Sequence, residues 1–210
     1  MNQHGYDTRP ARLDDDDDEE EEAEKKAKTP DMLNKSLLDQ RVILVCKPVD
    51  RDLMAQITAQ LLFLEQHDPG KPITMYINCP GGDADSGFGI YDAMRFVSSP
   101  ITTVCMGLAA SAAIIIFLGG EKGKRFTLPN SRFMIHQPST GSQGTASDLE
   151  ITANEIIKLR EVYLQVIADE CGKTLKQCTK DANRDFWLTA QEAVDYNLAT
   201  QIINSRSELG

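Results

Sequence analysis

The apolar positions along this chain switch repeatedly between two spacings. Arg41-Val-Ile-Leu-Val-Cys46, Ile73-Thr-Met-Tyr-Ile-Asn78 and Ile101-Thr-Thr-Val-Cys-Met106 are short runs rich in branched apolar residues and predict buried strands. Between them the spacing becomes helical. Leu53, Met54, Ile57, Leu61, Leu62 and Leu64 follow Asp50, a residue suited to cap a helix, and Asp68-Pro69-Gly70 marks its end. A second helix is predicted from about Ser86 to Phe96, burying Phe88, Ile90, Tyr91 and Met94. The third strand leads through Gly107 into an apolar helix over Ala109–Phe117, closed by Gly119-Gly120. Short strands follow at Arg125–Leu128 and Arg132–Ile135. Beyond a loop at Ser139–Gly144 lies a long helix over about Ser147–Glu170. Thr189 and Glu192 form a capping box for one more helix, and Thr200–Ile203 reads as a last strand.

Strand alternating with helix argues for an α/β domain built on a largely parallel, buried sheet. The helix over 147–170 is longer than a layer requires and is expected to project and carry a subunit contact. The domain is expected to occupy residues 34–210. Residues 1–33 contain nine consecutive acids, Asp14–Glu22, and predict a solvated, disordered tail. Of the net charge of −10, residues 1–30 carry −6, so the folded part is only mildly acidic. It has no basic stripe for nucleic acid. The longest apolar stretch, Val104–Gly119, is too short and too rich in Ala and Gly to span a membrane. No secretory signal is visible at the N-terminus, and the expected location is the cytoplasm. Five cysteines, an odd number without zinc-site spacing, predict reduced and mostly buried thiols and no metal.

Three residues stand where chemistry is possible. Ser111 lies among Ala109, Ala110, Ala112 and Ala113, between a strand and a helix. Small neighbours leave room for a carbonyl, and a helix start offers free N–H groups to an oxyanion. A small-residue packing turn would look the same. His136 ends the strand Phe133-Met-Ile135, a position that also suits a histidine capping a sheet. Asp185 precedes Phe186-Trp187 and is expected to be partly buried, either orienting a histidine or paired with an arginine. Together they are the three groups of a nucleophile–base–acid set in the order Ser, His, Asp. Gly81-Gly82 suits either an oxyanion donor or a strand-to-helix turn.

Longer motifs resolve these alternatives. Tyr76-Ile-Asn-Cys-Pro-Gly-Gly82, Ile90-Tyr-Asp-Ala-Met94, Cys105-Met-Gly-Leu-Ala-Ala-Ser111, the segment Gly123–Pro138 and Arg184-Asp-Phe-Trp-Leu-Thr-Ala190 resemble the ClpP family of serine peptidases. The likeness runs from about Leu37 to Ile203. It implies the crotonase-like ClpP fold, with Ser111 as nucleophile, His136 as general base and acid, and Asp185 orienting the imidazole. The backbone N–H groups of Gly82 and Ala112 would form the oxyanion hole. An extended substrate would lie between Gly81–Asp83 and the segment at Gln137 and Pro138. The resemblance further implies two stacked seven-membered rings joined by the 147–170 handle. An AAA+ Clp unfoldase would feed unfolded protein into the chamber. No cofactor is implied, and no phosphate-binding loop is present.

Several residues depart from the family's pattern. Leu108 stands where Gln is usual, Ala112-Ala113 where Met-Gly is usual, and Asn183 where an acid is usual. Thr29-Pro-Asp-Met-Leu-Asn-Lys-Ser36 occupies the place of the axial loop. The alternatives weighed against an active peptidase are a structural subunit of a ring mixed with a paralogue, a crotonase-type acyl-CoA enzyme and a Ser–Lys peptidase. Retention of all three triad residues favours the peptidase, and no lysine sits in a matching motif.

Overall fold

The computed structural model describes residues 33–139, 141 and 143–209. The expected acidic tail lies outside the described residues, Leu33 excepted. The chain divides into Met1–Gln40 and Arg41–Gly210. In the first unit residues 33–39 are helical. All the elements below belong to the second.

The strands are β1 (Val42–Val45), β2 (Ile73–Cys79), β3 (Ile101–Ala110), β4 (Arg125–Thr127), β5 (Arg132–Ile135), β6 (Phe186–Thr189) and β7 (Gln201–Ile202). The helices are α1 (Arg51–His67), α2 (Ala84–Phe96), α3 (Ala112–Leu118), α4 (Ala146–Cys171), α5 (Leu175–Asp181) and α6 (Ala190–Asp195). The sheet order is β1-β2-β3-β4-β7, with β5 also on β3 and β6 on β5. Every pairing is parallel except β5–β6. β3 is the hub. Its first half pairs with β4 through Thr103–Cys105, and its second half pairs with β5 through Leu108–Ala110.

β3 runs four residues beyond the predicted end at Met106, and α3 starts at Ala112 instead of Ala109. Against β2 the register jumps from Ile77↔Cys105 to Cys79↔Ala109, so β3 bulges over 106–108. Gly107, at φ 101°, makes the bulge possible, because a Cβ there would meet the Asn78 side chain at 3.0 Å. The strand then resumes and carries the chain to Ser111.

Packing explains the helices. α1 starts at Asp50, whose carboxylate accepts the Leu53 N–H at 2.8 Å, and buries Leu53, Ile57, Leu61 and Leu64. Leu62 falls off that stripe and is exposed. All seven residues of α3 are buried, which matches its lack of polar positions. Ion pairing at the base of α4 joins it to β4: Glu170, 9% exposed, meets Arg125, 3% exposed. α4 has 26 residues, a length of about 39 Å at the usual helical rise. Its buried residues, Tyr163, Leu164, Ile167, Ala168 and Cys171, all lie in the last third, so its N-terminal part projects. The thiols are free. Four are buried, whereas Cys46 lies one residue past β1 and is exposed, outside the apolar strand expected to hold it. Among the described residues no helix is long and apolar enough to cross a membrane.

Candidate active site

The ends of β2, β3, β5 and the start of β6 meet at one point. Pairing of Ala110 with Met134 in the β3–β5 ladder continues into a bond from the Ser111 N–H to the Met134 carbonyl, 2.8 Å. That bond sets Ser111 beside His136, two residues further along. Ser111 itself has φ 56° and ψ −124°, a conformation unfavourable for a residue with a Cβ. The tight strand-to-helix turn lifts its hydroxyl out of the sheet. Ser111 Oγ lies 2.8 Å from His136 Nε2, and His136 Nδ1 lies 3.2 Å from Asp185 Oδ1. With its proton on Nδ1, the imidazole donates to Asp185 and accepts the Ser111 proton on Nε2, the arrangement a hydroxyl nucleophile requires.

Asp185 differs from expectation in burial. Its side chain is 61% exposed, against 27% for His136. The physical reason is its place just before β6, an edge strand with a partner, β5, on one side only. The two aromatics beyond it do not cover it: Phe186 is half-buried and Trp187 is 47% exposed, lying under the Arg132 guanidinium.

A cavity of about 400 Å³ opens beside the hydroxyl, with Ser111, His136, Gly82 and Ala112 in its wall. Neither the Gly82 N–H nor the Ala112 N–H has an acceptor among the described residues, and both residues line the cavity with Ser111. N–H groups without an acceptor beside a nucleophilic hydroxyl are the kind of donor that can stabilise the oxygen of a tetrahedral intermediate.

The backbone groups of the predicted substrate edge, Gly81–Asp83, differ in what they engage. Gly81 is buried, its N–H donating to Cys79 Sγ at 3.4 Å and its carbonyl accepting the Val49 N–H at 2.8 Å. It packs under Ser111, where a Cβ would come within 2.4 Å of the Ala110 carbonyl oxygen. The Asp83 N–H is engaged by the Val49 carbonyl, and its carboxylate caps α2 through Ser86. Those bonds from the Ser86 hydroxyl and N–H hold the Asp83 carboxyl below its ordinary range. Of the three, Gly82 alone keeps both backbone groups without a chain partner among the described residues. On the other side Pro138 lines the cavity, while the Gln137 N–H is taken by the Ala182 carbonyl at 3.0 Å.

Sequence reasoning missed the cavity's far wall. Ile156, Leu159 and Tyr163 of α4 form it, at intervals of three and four residues. That spacing was a visible signal of one helical face. Ile115 and Met134 complete the apolar floor. Tyr163 also donates its hydroxyl to the Ser111 carbonyl at 3.1 Å. Burial pushes that phenol well above its ordinary value, which keeps its proton on oxygen as a donor at neutral pH.

The sequence matches the Clp protease family model over residues 24–206. It is 46% identical over 173 residues to the ATP-dependent Clp protease proteolytic subunit of Bacteroides fragilis, covering 82% of this chain and 83% of that protein. The corresponding subunit of Porphyromonas gingivalis is 44% identical, covering 82% of this chain and 78% of that protein. Among solved structures, a single-residue mutant of ClpP1 from Listeria monocytogenes superposes with a TM-score of 0.79 at 39% identity, over 85% of this chain and 99% of that one.

Proposed function

The chain belongs to the Clp protease family, a serine peptidase subunit, and we propose from that premise the roles of its residues. His136 Nε2 takes the Ser111 proton as Oγ attacks the substrate carbonyl. The carbonyl π pair moves onto oxygen, which the Gly82 and Ala112 N–H groups stabilise. Collapse of the intermediate breaks the C–N bond, and His136 delivers its proton to the leaving amine. Water, deprotonated by the same imidazole, then releases the acyl group and restores the serine. Asp185 holds the imidazole tautomer throughout. The observation carrying this reading is the Ser111–His136–Asp185 chain of contacts at 2.8 and 3.2 Å.

The substrate is extended, unfolded polypeptide running past Gly82 and Pro138, with an apolar side chain over Ile115, Ile156 and Leu159. The projecting part of α4 exposes Leu149, Ile151, Ile157 and Val162, an apolar set suited to ring-to-ring contact. Two stacked seven-membered rings, fed by an ATP-driven Clp unfoldase in the cytoplasm, are the assembly we assign, with residues 34–210 as the peptidase domain. A paralogue is a candidate partner within the rings.

A fluorophosphonate probe tests the nucleophile. Labelling of Ser111 in the wild type, and loss of both labelling and peptide cleavage in Ser111→Ala with particle size unchanged, is the expected result. Retained cleavage in that variant overturns the assignment.

A further inference from the structure

The Gly82 N–H is presented by a loop with little side-chain support of its own, since Pro80, Gly81 and Gly82 supply no side-chain hydrogen-bonding group. Its geometry must therefore come from neighbours. Val49 supplies one clamp, an isolated parallel bridge in which the Val49 N–H donates to the Gly81 carbonyl and the Val49 carbonyl accepts the Asp83 N–H, both at 2.8 Å. A second clamp is a side chain. Cys79 ends β2, is fully buried, and pairs with Ala109 at the resumed register next to the nucleophile. Its sulfur accepts the Gly81 N–H at 3.4 Å, and its thiol proton is donated to the Lys47 carbonyl at 3.0 Å. Cys79 thus joins the segment before Val49 to the residue before Gly82.

We propose that Cys79 is a positioning residue for the oxyanion hole, its thiol holding the Lys47–Val49 and Gly81–Gly82 segments together so that the Gly82 N–H points at the developing oxyanion. The inference rests on the assignment of Gly82 as an oxyanion donor. Several observations support it. Both hydrogen-bonding capacities of the thiol are used, one on each segment. Burial pushes the thiol up from its ordinary value, so the proton given to Lys47 is retained at neutral pH. The loop has no slack toward the nucleophile: a Cβ on Gly81 would lie 2.7 Å from Ser111 Cβ, and one on Gly82 2.2 Å from the Val49 carbonyl oxygen. A shift of Gly81 is thus a shift of the oxyanion donor relative to Ser111. Buried thiols usually serve as small apolar fillers. A filler needs no polar contacts, whereas this one bridges two backbones.

The test compares Cys79→Ser, Cys79→Ala and Cys79→Val in the full-length assembled protein. Ser keeps one donor and one acceptor. Ala has neither, and Val fills the space with neither. Misplaced oxyanion donors act on the transition state, so kcat in Ala and Val falls about ten- to a hundredfold with KM within about twofold. Affinity for a peptide boronic acid, which forms a tetrahedral adduct on serine, falls by the same factor. Ser restores both to within about threefold of wild type, as expected where a donor and an acceptor are both retained. Unchanged kcat in Ala and Val overturns the proposal. So does a loss in Ser equal to that in Ala, or a loss of kcat without loss of boronate affinity, since each leaves Cys79 with a packing role only. A crystal structure of the wild-type boronate adduct separates the two levels of the argument. An adduct oxygen away from the Gly82 N–H overturns the oxyanion assignment. An oxygen on that N–H, with Ala and Val as active as wild type, overturns Cys79 alone.

Discussion

His136 and Asp185 face each other across the next step of the β5–β6 ladder. That ladder pairs Arg132 with Thr189, Phe133 with Leu188, Met134 with Trp187 and Ile135 with Phe186. The following pair in register is His136 and Asp185, and the side chains meet at 3.2 Å. One antiparallel pairing, the only one among the described strands, therefore brings the acid of residue 185 to a histidine 49 positions earlier. Asp185→Asn keeps the shape and the register but presents an amide in place of the carboxylate, favouring the wrong tautomer. Turnover of a fluorogenic peptide is expected to fall about 10²- to 10⁴-fold with the fold intact. A loss of less than about tenfold would reassign the orienting role.

Tyr163→Phe isolates one hydrogen bond at the nucleophile. The phenol donates to the Ser111 carbonyl, which also accepts the Ile114 N–H at 2.9 Å. Removing the hydroxyl leaves that carbonyl partnered, so the stability cost is about 0.5–1.5 kcal/mol. The Ser111 backbone, held at φ 56°, loses one restraint. Fluorophosphonate labelling of Ser111 is expected to slow several-fold, with a melting temperature lower by a few degrees. An unchanged labelling rate would show that the turn is held without α4.

Ser111, His136 and Asp185 could be picked out together because each lies in a long motif, but the pairing that brings them into contact could not. β6 and α5 were both unpredicted. α5 has seven residues, mostly polar, and buries only Cys178, so it carries no apolar stripe. β6 is four residues of an edge strand whose alternation is too short to read. Without β6 the pairing of His136 with Asp185 had no visible cause, and the exposure of Asp185 was misjudged. β3 was cut short for a different reason. Gly107 reads locally as a strand terminator, yet the bulge it forms is set by Asn78 on the neighbouring strand. The strands β1 and β2, the start of β3 at Ile101 and the caps at Asp50 and Thr189 rest on local pattern and were found where expected. The residues that tune the site, Cys79 and Tyr163, act through contacts spanning 32 and 52 positions.

Arg125 and Glu170 form the charge pair that fixes the base of α4. Arg125 Nε also donates to the Gly120 carbonyl at 2.8 Å, and the Tyr91 hydroxyl reaches Glu170 at 3.5 Å. Removing Glu170 leaves the buried Arg125 guanidinium without its carboxylate, whereas Glu170 also has Lys122 at 3.9 Å. Glu170→Leu is expected to destabilise by about 3–5 kcal/mol, while Arg125→Met/Glu170→Leu recovers much of that loss because neither charge is left unpaired. Thermal or denaturant unfolding of the two variants checks the contrast. Equal stability of the single and double variants would show that the pair is solvent-screened.

Glu65 gives a pH dependence whose sign follows from its partners. The carboxylate on α1 accepts the hydroxyls of Ser98 and Ser99, the latter at 2.6 Å, and their N–H groups at 3.1 and 3.0 Å. These bonds, the hydroxyls first, lower it from an ordinary 4.5 to about 2. Between those values the unfolded chain holds a proton on Glu65 that the native protein does not, so native stability rises with pH across that window. The contribution is complete above 4.5 and is lost as pH falls through about 2. Glu65→Gln has no such proton. The wild type is therefore expected to be the more stable of the two at neutral pH, with the gap in melting temperature closing on acidification below 4.5. Parallel melting-temperature curves for the two proteins across that range would show that the four contacts do not discriminate between carboxylate and carboxylic acid.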